Sequence, residues 1–200
     1  DVGETIQADA PKQVKIDTEL FEARVSNVGG VLESFRLKKY PDTENKPTEL
    51  IDQYAGKHVG FPLAIATSDP ALDKVLAQAK FAVEDQPDKN KVVLEYQSAG
   101  VHAKKMIEFS PDKYSLKVSA SLQRNGTALP HQLVWQGGFG DQSMPDAPDK
   151  DKVALQAKKA AVYFADGKFQ RTSLAGIKDG PAAELTTSMI GVEDQYFAAV

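Results

Sequence analysis

The middle of the chain alternates between apolar and polar residues with a period of two. Five apolar residues occupy every second position of one segment: Tyr114, Leu116, Val118, Ala120 and Leu122. Because successive side chains of a strand point to opposite faces of a sheet, this pattern predicts a strand with one buried face. Similar alternation covers residues 92–96 and 101–109, where Lys105 interrupts it. Turn sequences separate these segments, so we predict an antiparallel meander with one solvent-exposed face.

A second group of strands is predicted on either side of Gly29-Gly30. Apolar segments cover residues 14–25 and 31–37, and the later one places three residues on one face: Val31, Phe35 and Leu37. Glycine adopts a positive φ without steric cost, so the Gly29-Gly30 pair indicates a hairpin turn or a bulge between two strands. Tyr40 and the proline after it are expected to end the second of these strands.

Helical patterns are few. Asp69-Pro70 is typical of a helix start, and the apolar stripe that follows predicts a short helix near residues 70–78. Asp166-Gly167 lies between two apolar segments and predicts a late hairpin. We therefore predict a mostly β domain with at least ten strands and one or two short helices.

Length and composition limit the class of protein. The chain has 200 residues, 42% of them hydrophobic, which is typical of a globular domain. Residues 1–13 are polar and lack periodicity, so we expect a linker there and a single domain over residues 14–200. The chain lacks an initiator Met and ends at Val200 within an apolar segment, which indicates a piece of a longer protein.

Charge and cysteine content exclude several functions. The 24 basic and 28 acidic residues give a net charge of −4, so there is no basic surface of the kind that binds nucleic acid. The absence of cysteine excludes disulfides, thiolate metal sites and cysteine nucleophiles. The longest apolar run, Ala160–Ala165, is far shorter than the roughly 20 residues of a membrane-spanning helix.

No motif in the chain predicts catalysis. His58, His102 and His131 lack metal-ligand spacing, and we interpret them as surface or structural residues. The glycine-rich stretch at residues 136–140 lacks the Lys-Ser/Thr ending of a phosphate-binding loop. We therefore predict no catalytic residues, no metal and no cofactor. Trp135 ends an apolar strand beside this stretch, so we expect its ring to lie in the core or in the wall of a cleft.

The order of motifs resembles a known family. The opening at residues 21–30 ends in Gly29-Gly30, and a Lys-Tyr-Pro sequence containing Tyr40 follows it. Trp135 then leads into a glycine-rich segment that includes Gly138 and Gly140, and the chain closes on the triplet Gln195, Tyr196 and Phe197. Over residues 14–200 this series resembles the periplasmic domain of bacterial YidC membrane-protein insertases.

The resemblance implies a fold and a role. The expected fold is a large twisted antiparallel β-sandwich, similar to the galactose-mutarotase fold. The expected function is that of a non-catalytic accessory domain at the periplasmic face of the bacterial inner membrane, which aids insertion and folding of membrane proteins by scaffolding or docking partners. The implied partners are the membrane-embedded core of the same protein, the Sec translocon and nascent membrane proteins, with no nucleic acid and no small-molecule substrate. The family-motif residues would serve structure or coupling.

The last segment is the expected connection to a membrane helix that the chain does not contain. Residues 185–200 mix apolar and acidic residues, and Tyr196 and Phe197 suit a position near a membrane boundary. The alternative for this segment is that it is simply the last core strand of the sandwich. Two alternatives remain. One is a periplasmic carbohydrate- or peptide-binding domain, and the other is a mutarotase-like sugar enzyme, which needs a histidine and a carboxylate facing each other in a cleft.

Overall fold

The structure is a computed structural model, and it describes residues 4–85, 88–135, 139–140, 160–173, 187, 189–193 and 197–200. The described residues form fifteen strands and two short helices. The strands of the first half are β1 (Gln13–Asp17), β2 (Phe21–Ser26), β3 (Val31–Pro41), β4 (Pro47–Glu49), β5 (Ala64–Ala66), β6 (Ala82–Val83) and β7 (Lys91–Ser98). Those of the second half are β8 (Val101–Phe109), β9 (Leu116–Arg124), β10 (Thr127–Ala128), β11 (Gln132–Val134), β12 (Ala160–Ala165), β13 (Lys168–Ser173), β14 (Ile190–Glu193) and β15 (Ala198–Ala199). The helices are α1 (Gln53–Val59) and α2 (Pro70–Gln78).

Two antiparallel sheets form the body of the domain. One has the strand order β1-β2-β3-β4, and the other has the order β10-β9-β8-β7-β6. The predicted meander is confirmed in β7, β8 and β9, whose outer residues are partly or fully exposed except for Val93, which is buried. The predicted stripe is one residue shorter than expected, because β9 begins at Leu116 and Tyr114 lies before it with 42% of its surface exposed.

The inner faces of the two sheets pack against each other. Phe21 stacks on Phe35 within the first sheet, with ring centroids 4.6 Å apart, and lies 6.1 Å from the ring of Phe109 in the second sheet. Phe21 is fully buried, and the other two rings are nearly so. Each such side chain contributes roughly 1.5–3 kcal/mol by leaving water. This packing makes the domain the antiparallel β-sandwich that the strand pattern and the resemblance predicted.

A bulge changes which face of β3 is buried. Arg24 pairs with Ser34 and Val25 with Leu32, so Glu33 is the extra residue on β3. An extra residue inverts the alternation on one side of it. Leu32 therefore enters the core in place of Val31, and the predicted face of Val31 is wrong, whereas Phe35 and Leu37 lie in the core as expected.

Helix α2 begins and ends where the sequence predicts. The Asp69 carboxylate accepts hydrogen bonds from the backbone N–H groups of Ala71 and Leu72, and Leu72 and Leu76 are buried against the sandwich. Helix α1 has only seven residues, too few for a periodic apolar stripe, and was not predicted. It begins at Asp52, whose side chain accepts from the N–H of Ala55.

Two smaller sheets complete the described structure. Strands β5 and β11 pair with each other, and a four-stranded sheet has the order β13-β12-β14-β15. Its first hairpin turns at Asp166-Gly167, as predicted. No helix among the described residues has the length and apolar character needed to cross a bilayer.

The start of the chain is held against the sandwich. Ile6 and Gln97 exchange two backbone hydrogen bonds of 2.9 and 2.7 Å, and the N–H of Ala8 donates to the carbonyl of Lys80. The N–H of Lys12 donates to the side chain of Asn27. Residues 6–12 of the expected linker are thus attached to the domain, which the absence of periodicity did not indicate.

Candidate functional site

A cleft of about 480 Å³ opens where the first sheet, the end of β11 and the C-terminal strand β15 meet. Apolar and aromatic side chains dominate its lining, with one serine among them: Leu32, Phe35, Leu37, Tyr40, Leu50, Ile51, Tyr114, Ser115, Leu116, Trp135, Phe139, Phe197, Ala198, Ala199 and Val200. A concave apolar surface of this size is typical of a site that receives a small ligand or a few side chains of a partner.

Trp135 forms one wall of this cleft. Its ring meets Phe139 edge to face at 5.7 Å and 75°, and it packs against the hydrophobic core while remaining partly exposed. Its indole Nε1 is buried and has no hydrogen-bond partner in the part of the chain that the structure describes. A buried indole N–H usually finds a partner. Because this N–H is buried, the surface that the ring adds to the cleft wall is apolar.

An aromatic rim joins the two sheets to the end of the chain. Tyr40, at the end of β3, packs edge to face against Tyr114 at 5.8 Å and against Phe197 at 5.9 Å. Burial raises the pKa of the Tyr114 hydroxyl, with a smaller contribution from Tyr40, so Tyr114 stays neutral at physiological pH. The rim is thus uncharged.

The last residues are fixed at the cleft by strand pairing. Ala199 of β15 pairs with Val192 of β14, and Ala198 pairs with Glu193. A side chain on Gly191 would approach the carbonyl oxygen of Ala199 to 2.2 Å, so this close approach requires glycine. The end of the described chain is therefore held in the smaller four-stranded sheet, and Phe197 and Ala199 pack against the core of the sandwich.

The predicted family-motif residues fall into three groups. Tyr40, Trp135 and Phe197 come together in the cleft, and Gly140 lies beside it, its N–H donating to the carbonyl of Leu50. Gly29 and Gly30 lie in the core at the β2–β3 turn, both with positive φ. Three others lie outside the described residues: Gly138, Gln195 and Tyr196.

Lys105 is the feature that sequence reasoning missed. Its side chain is fully buried, and its Nζ donates to the carbonyl oxygens of Leu63 at 2.5 Å, Gly30 at 2.6 Å and Gly29 at 3.3 Å. Burial lowers its pKa to about 7. The strand alternation places position 105 on the core face, so the interruption by a lysine was itself the indication of a buried polar cluster.

The three histidines lie outside the lining of the cleft. His102 Nε2 lies 2.7 Å from Glu95 Oε1, a histidine–carboxylate pair that the sequence did not indicate. Both residues are on the outer face of β7 and β8, and neither lines the cleft. His58 and His131 contact backbone carbonyl oxygens. Among the described residues no three metal-ligating side chains come together.

Fold and cleft together define an antiparallel β-sandwich with an aromatic, uncharged cleft at the end of the chain. Comparison with known proteins gives the family: the model of the YidC periplasmic domain matches residues 13–200, and the chain belongs to this family. A membrane protein insertase YidC of Oleidesulfovibrio alaskensis is 28% identical over 195 residues, covering 94% of this chain and 35% of that protein. A second insertase of the same name, from Syntrophus aciditrophicus, is 28% identical over 117 residues, covering 52% of this chain and 21% of that protein. The chain thus spans about a third of the length of the first relative.

Proposed function

We propose that this domain is a non-catalytic accessory domain of a membrane-protein insertase, placed at the periplasmic face of the bacterial inner membrane. The family match over residues 13–200 and the similarity to two proteins named as membrane protein insertases support this role. The domain would aid insertion and folding of membrane proteins by scaffolding or docking partners. Its partners would be the membrane-embedded remainder of the same protein, the Sec translocon and nascent membrane proteins.

The observation that carries the proposal is the attachment of the chain end to the sandwich. Phe197 packs on Tyr40 of the first sheet, and β15 is hydrogen-bonded to β14. A segment held on two sides has a defined position relative to the sandwich, and it would transmit that position to the membrane-embedded part of the protein. We propose that residues 185–200 couple the sandwich to the membrane-embedded part.

Complementation in cells depleted of their own insertase tests this coupling. In the full-length protein, deletion of residues 14–180 should leave insertion partly working, whereas scrambling residues 185–200 should impair it, with expression levels matched. Phe197→Ala should reduce growth and Phe169→Ala should not, because Phe169 is 68% exposed on β13 and lies outside the cleft. A lethal large deletion combined with a harmless scramble would overturn the proposal.

The cleft favours one second candidate, a carbohydrate- or peptide-binding domain. An apolar cleft with an aromatic wall is suited to both ligand classes. Titration calorimetry with oligosaccharide and apolar-peptide panels distinguishes this candidate. Two results together would favour the binding domain over the accessory role. Trp135→Ala would abolish ligand binding, and scrambling residues 185–200 would have no effect on insertion.

A further inference from the structure

The buried Lys105 joins three separate segments of the domain. It extends from the inner face of β8 toward the Gly29-Gly30 turn of the first sheet and toward Leu63, just before β5. Its neighbours across the sheet are Leu94 and Ala120. No ion pair with Lys105 occurs among the described residues, and burial is the one cause that shifts its pKa. Its hydrogen bonds all go to the backbone.

The number of acceptors fits an ammonium group. A protonated lysine has three N–H donors, and the three carbonyl oxygens lie within 3.3 Å of Nζ. A neutral amine has two donors, and its lone pair would then face the third carbonyl. The absence of a side chain at Gly30 leaves room for this arrangement, since a Cβ there would lie 3.3 Å from Nζ.

Leu63 connects this cluster to the cleft. Its backbone has a φ of +71°, which a branched side chain adopts only when its surroundings hold it there. Its carbonyl accepts from Lys105, and its N–H donates to the carbonyl of Val134 at 2.8 Å. Val134 precedes Trp135. One short hydrogen-bonded path therefore leads from the core lysine to the cleft wall.

Pro62 supports the same loop from the other side. Its carbonyl accepts from the N–H of Leu32, which lines the cleft. The loop at residues 62–63 is thus bonded to the first sheet, to β8 and to β11. We propose that Lys105 is a positioning residue that holds this loop in its strained conformation and thereby fixes the cleft wall at Trp135. This inference concerns the isolated domain and is independent of the insertase role.

The chain offers its own reporter and its own control. Trp135 is the one tryptophan in the sequence, so tryptophan emission reports on the cleft wall alone. Lys104, the neighbouring residue, is on the outer face of β8 and pairs with Glu84. Lys105→Met keeps the length of the side chain but removes its donors, and Lys104→Met is the matched control.

In Lys105→Met we expect the emission maximum of the folded protein to shift to longer wavelength. We also expect the Leu63 amide proton to exchange about tenfold faster, since it loses the order imposed by one hydrogen bond. Lys104→Met should change neither. Unchanged emission and exchange in a folded Lys105→Met protein would overturn the proposal.

A measurement on the unaltered protein keeps the proposal testable when Lys105→Met does not fold. Loss of the Lys105 proton should shift Trp135 emission at the same midpoint as the ¹³C resonance of the lysine Cε carbon. The titration stops below pH 9.5, because Tyr40 and Tyr114 line the cleft, and it is repeated in His131→Gln, because His131 precedes β11 and contacts the Ala120 carbonyl. Emission that is flat through the Lys105 midpoint would overturn the proposal.

Discussion

The closed core between the two sheets and the open cleft at one edge use the same kind of residue to different effect. Phe21, Phe35 and Phe109 fill the space between the sheets and exclude water. Tyr40 and Trp135 line the cleft and keep part of their surface accessible. The two regions meet at Phe35, which belongs to both. The buried rings of the core stabilise the sandwich, whereas the partly exposed rings of the cleft leave an aromatic surface that a partner or ligand can contact.

The largest difference between the regions is expected from deleting a core ring. Phe21→Ala removes a fully buried side chain in contact with both sheets, and should lower the free energy of unfolding by about 3–5 kcal/mol. Urea denaturation measures this value. Tyr40→Ala, at the half-exposed rim, should lower it by less than about 1.5 kcal/mol. Equal losses in the two variants would mean that the cleft is packed as tightly as the core.

Trp135→Ala should have an intermediate effect. Full burial of this ring would predict a loss of about 3–5 kcal/mol, but the ring is partly exposed in the cleft, so we expect about 2 kcal/mol. Trp135→Phe should cost less, because it keeps apolar contact with Phe139 and removes a buried donor that has no partner among the described residues. Urea denaturation of both variants is the check, and a greater loss in Trp135→Phe would contradict this view of the wall.

A change of stability with pH is expected from Lys105. The unfolded chain keeps Lys105 protonated up to about 10.5, whereas burial lowers the pKa in the folded domain to about 7. Between these values the unfolded state binds more protons, so the free energy of unfolding rises with pH, by at most about 1.4 kcal/mol per pH unit. Below pH 7 the cost of burying the charge is fully present. The three carbonyl oxygens favour the ammonium and so oppose the effect of burial on the pKa, which moves the start of the rise to higher pH and makes its total smaller.

Denaturation at several pH values between 7 and 9.5 measures this rise, and Lys105→Met is the control. The surface lysines with raised pKa values, Lys15, Lys46 and Lys104, lose their protons above this range. The rise should therefore disappear in Lys105→Met and persist in Lys104→Met. An identical pH dependence in all three proteins would show that Lys105 has the same charge in the folded and unfolded states.

The core could be predicted from the sequence to a greater extent than the cleft. Strict alternation over residues 116–122 fixes the burial of β9, because a strand exposes alternate residues. The exception in the first sheet is physical: the bulge at Glu33 inverts the alternation, and nothing local in the sequence requires it. Helix α1 was not predicted because its seven residues make fewer than two turns, too few to show a periodic apolar stripe.

The cleft is assembled from residues far apart in the chain. Its aromatic residues meet only when both sheets and β15 are in place, so no local pattern predicts their contact. These residues are Tyr40, Tyr114, Trp135 and Phe197. Trp135 alone could be predicted as a wall residue, from the apolar strand before it. The alternation places Lys105 on the core face, but its partners could not be predicted, because they are backbone carbonyl oxygens, which every residue type supplies.

The smallest effect is the interaction between the rim and the chain end. Tyr40 and Phe197 meet edge to face at 5.9 Å and 89°, an arrangement that contributes about 0.5–1.5 kcal/mol beyond area burial. A double-mutant cycle of Tyr40→Ala and Phe197→Ala should therefore give a coupling energy in this range by urea denaturation. The matched cycle of Tyr40→Ala with Phe169→Ala should give zero within about 0.5 kcal/mol, because Phe169 packs on Phe164 in β12.

Zero coupling in both cycles would mean that β14 alone holds the chain end, and the segment after residue 196 would then move independently of the first sheet. A clear coupling in the first cycle alone would show that the rim fixes the chain end to the first sheet, which the proposed transmission of position requires.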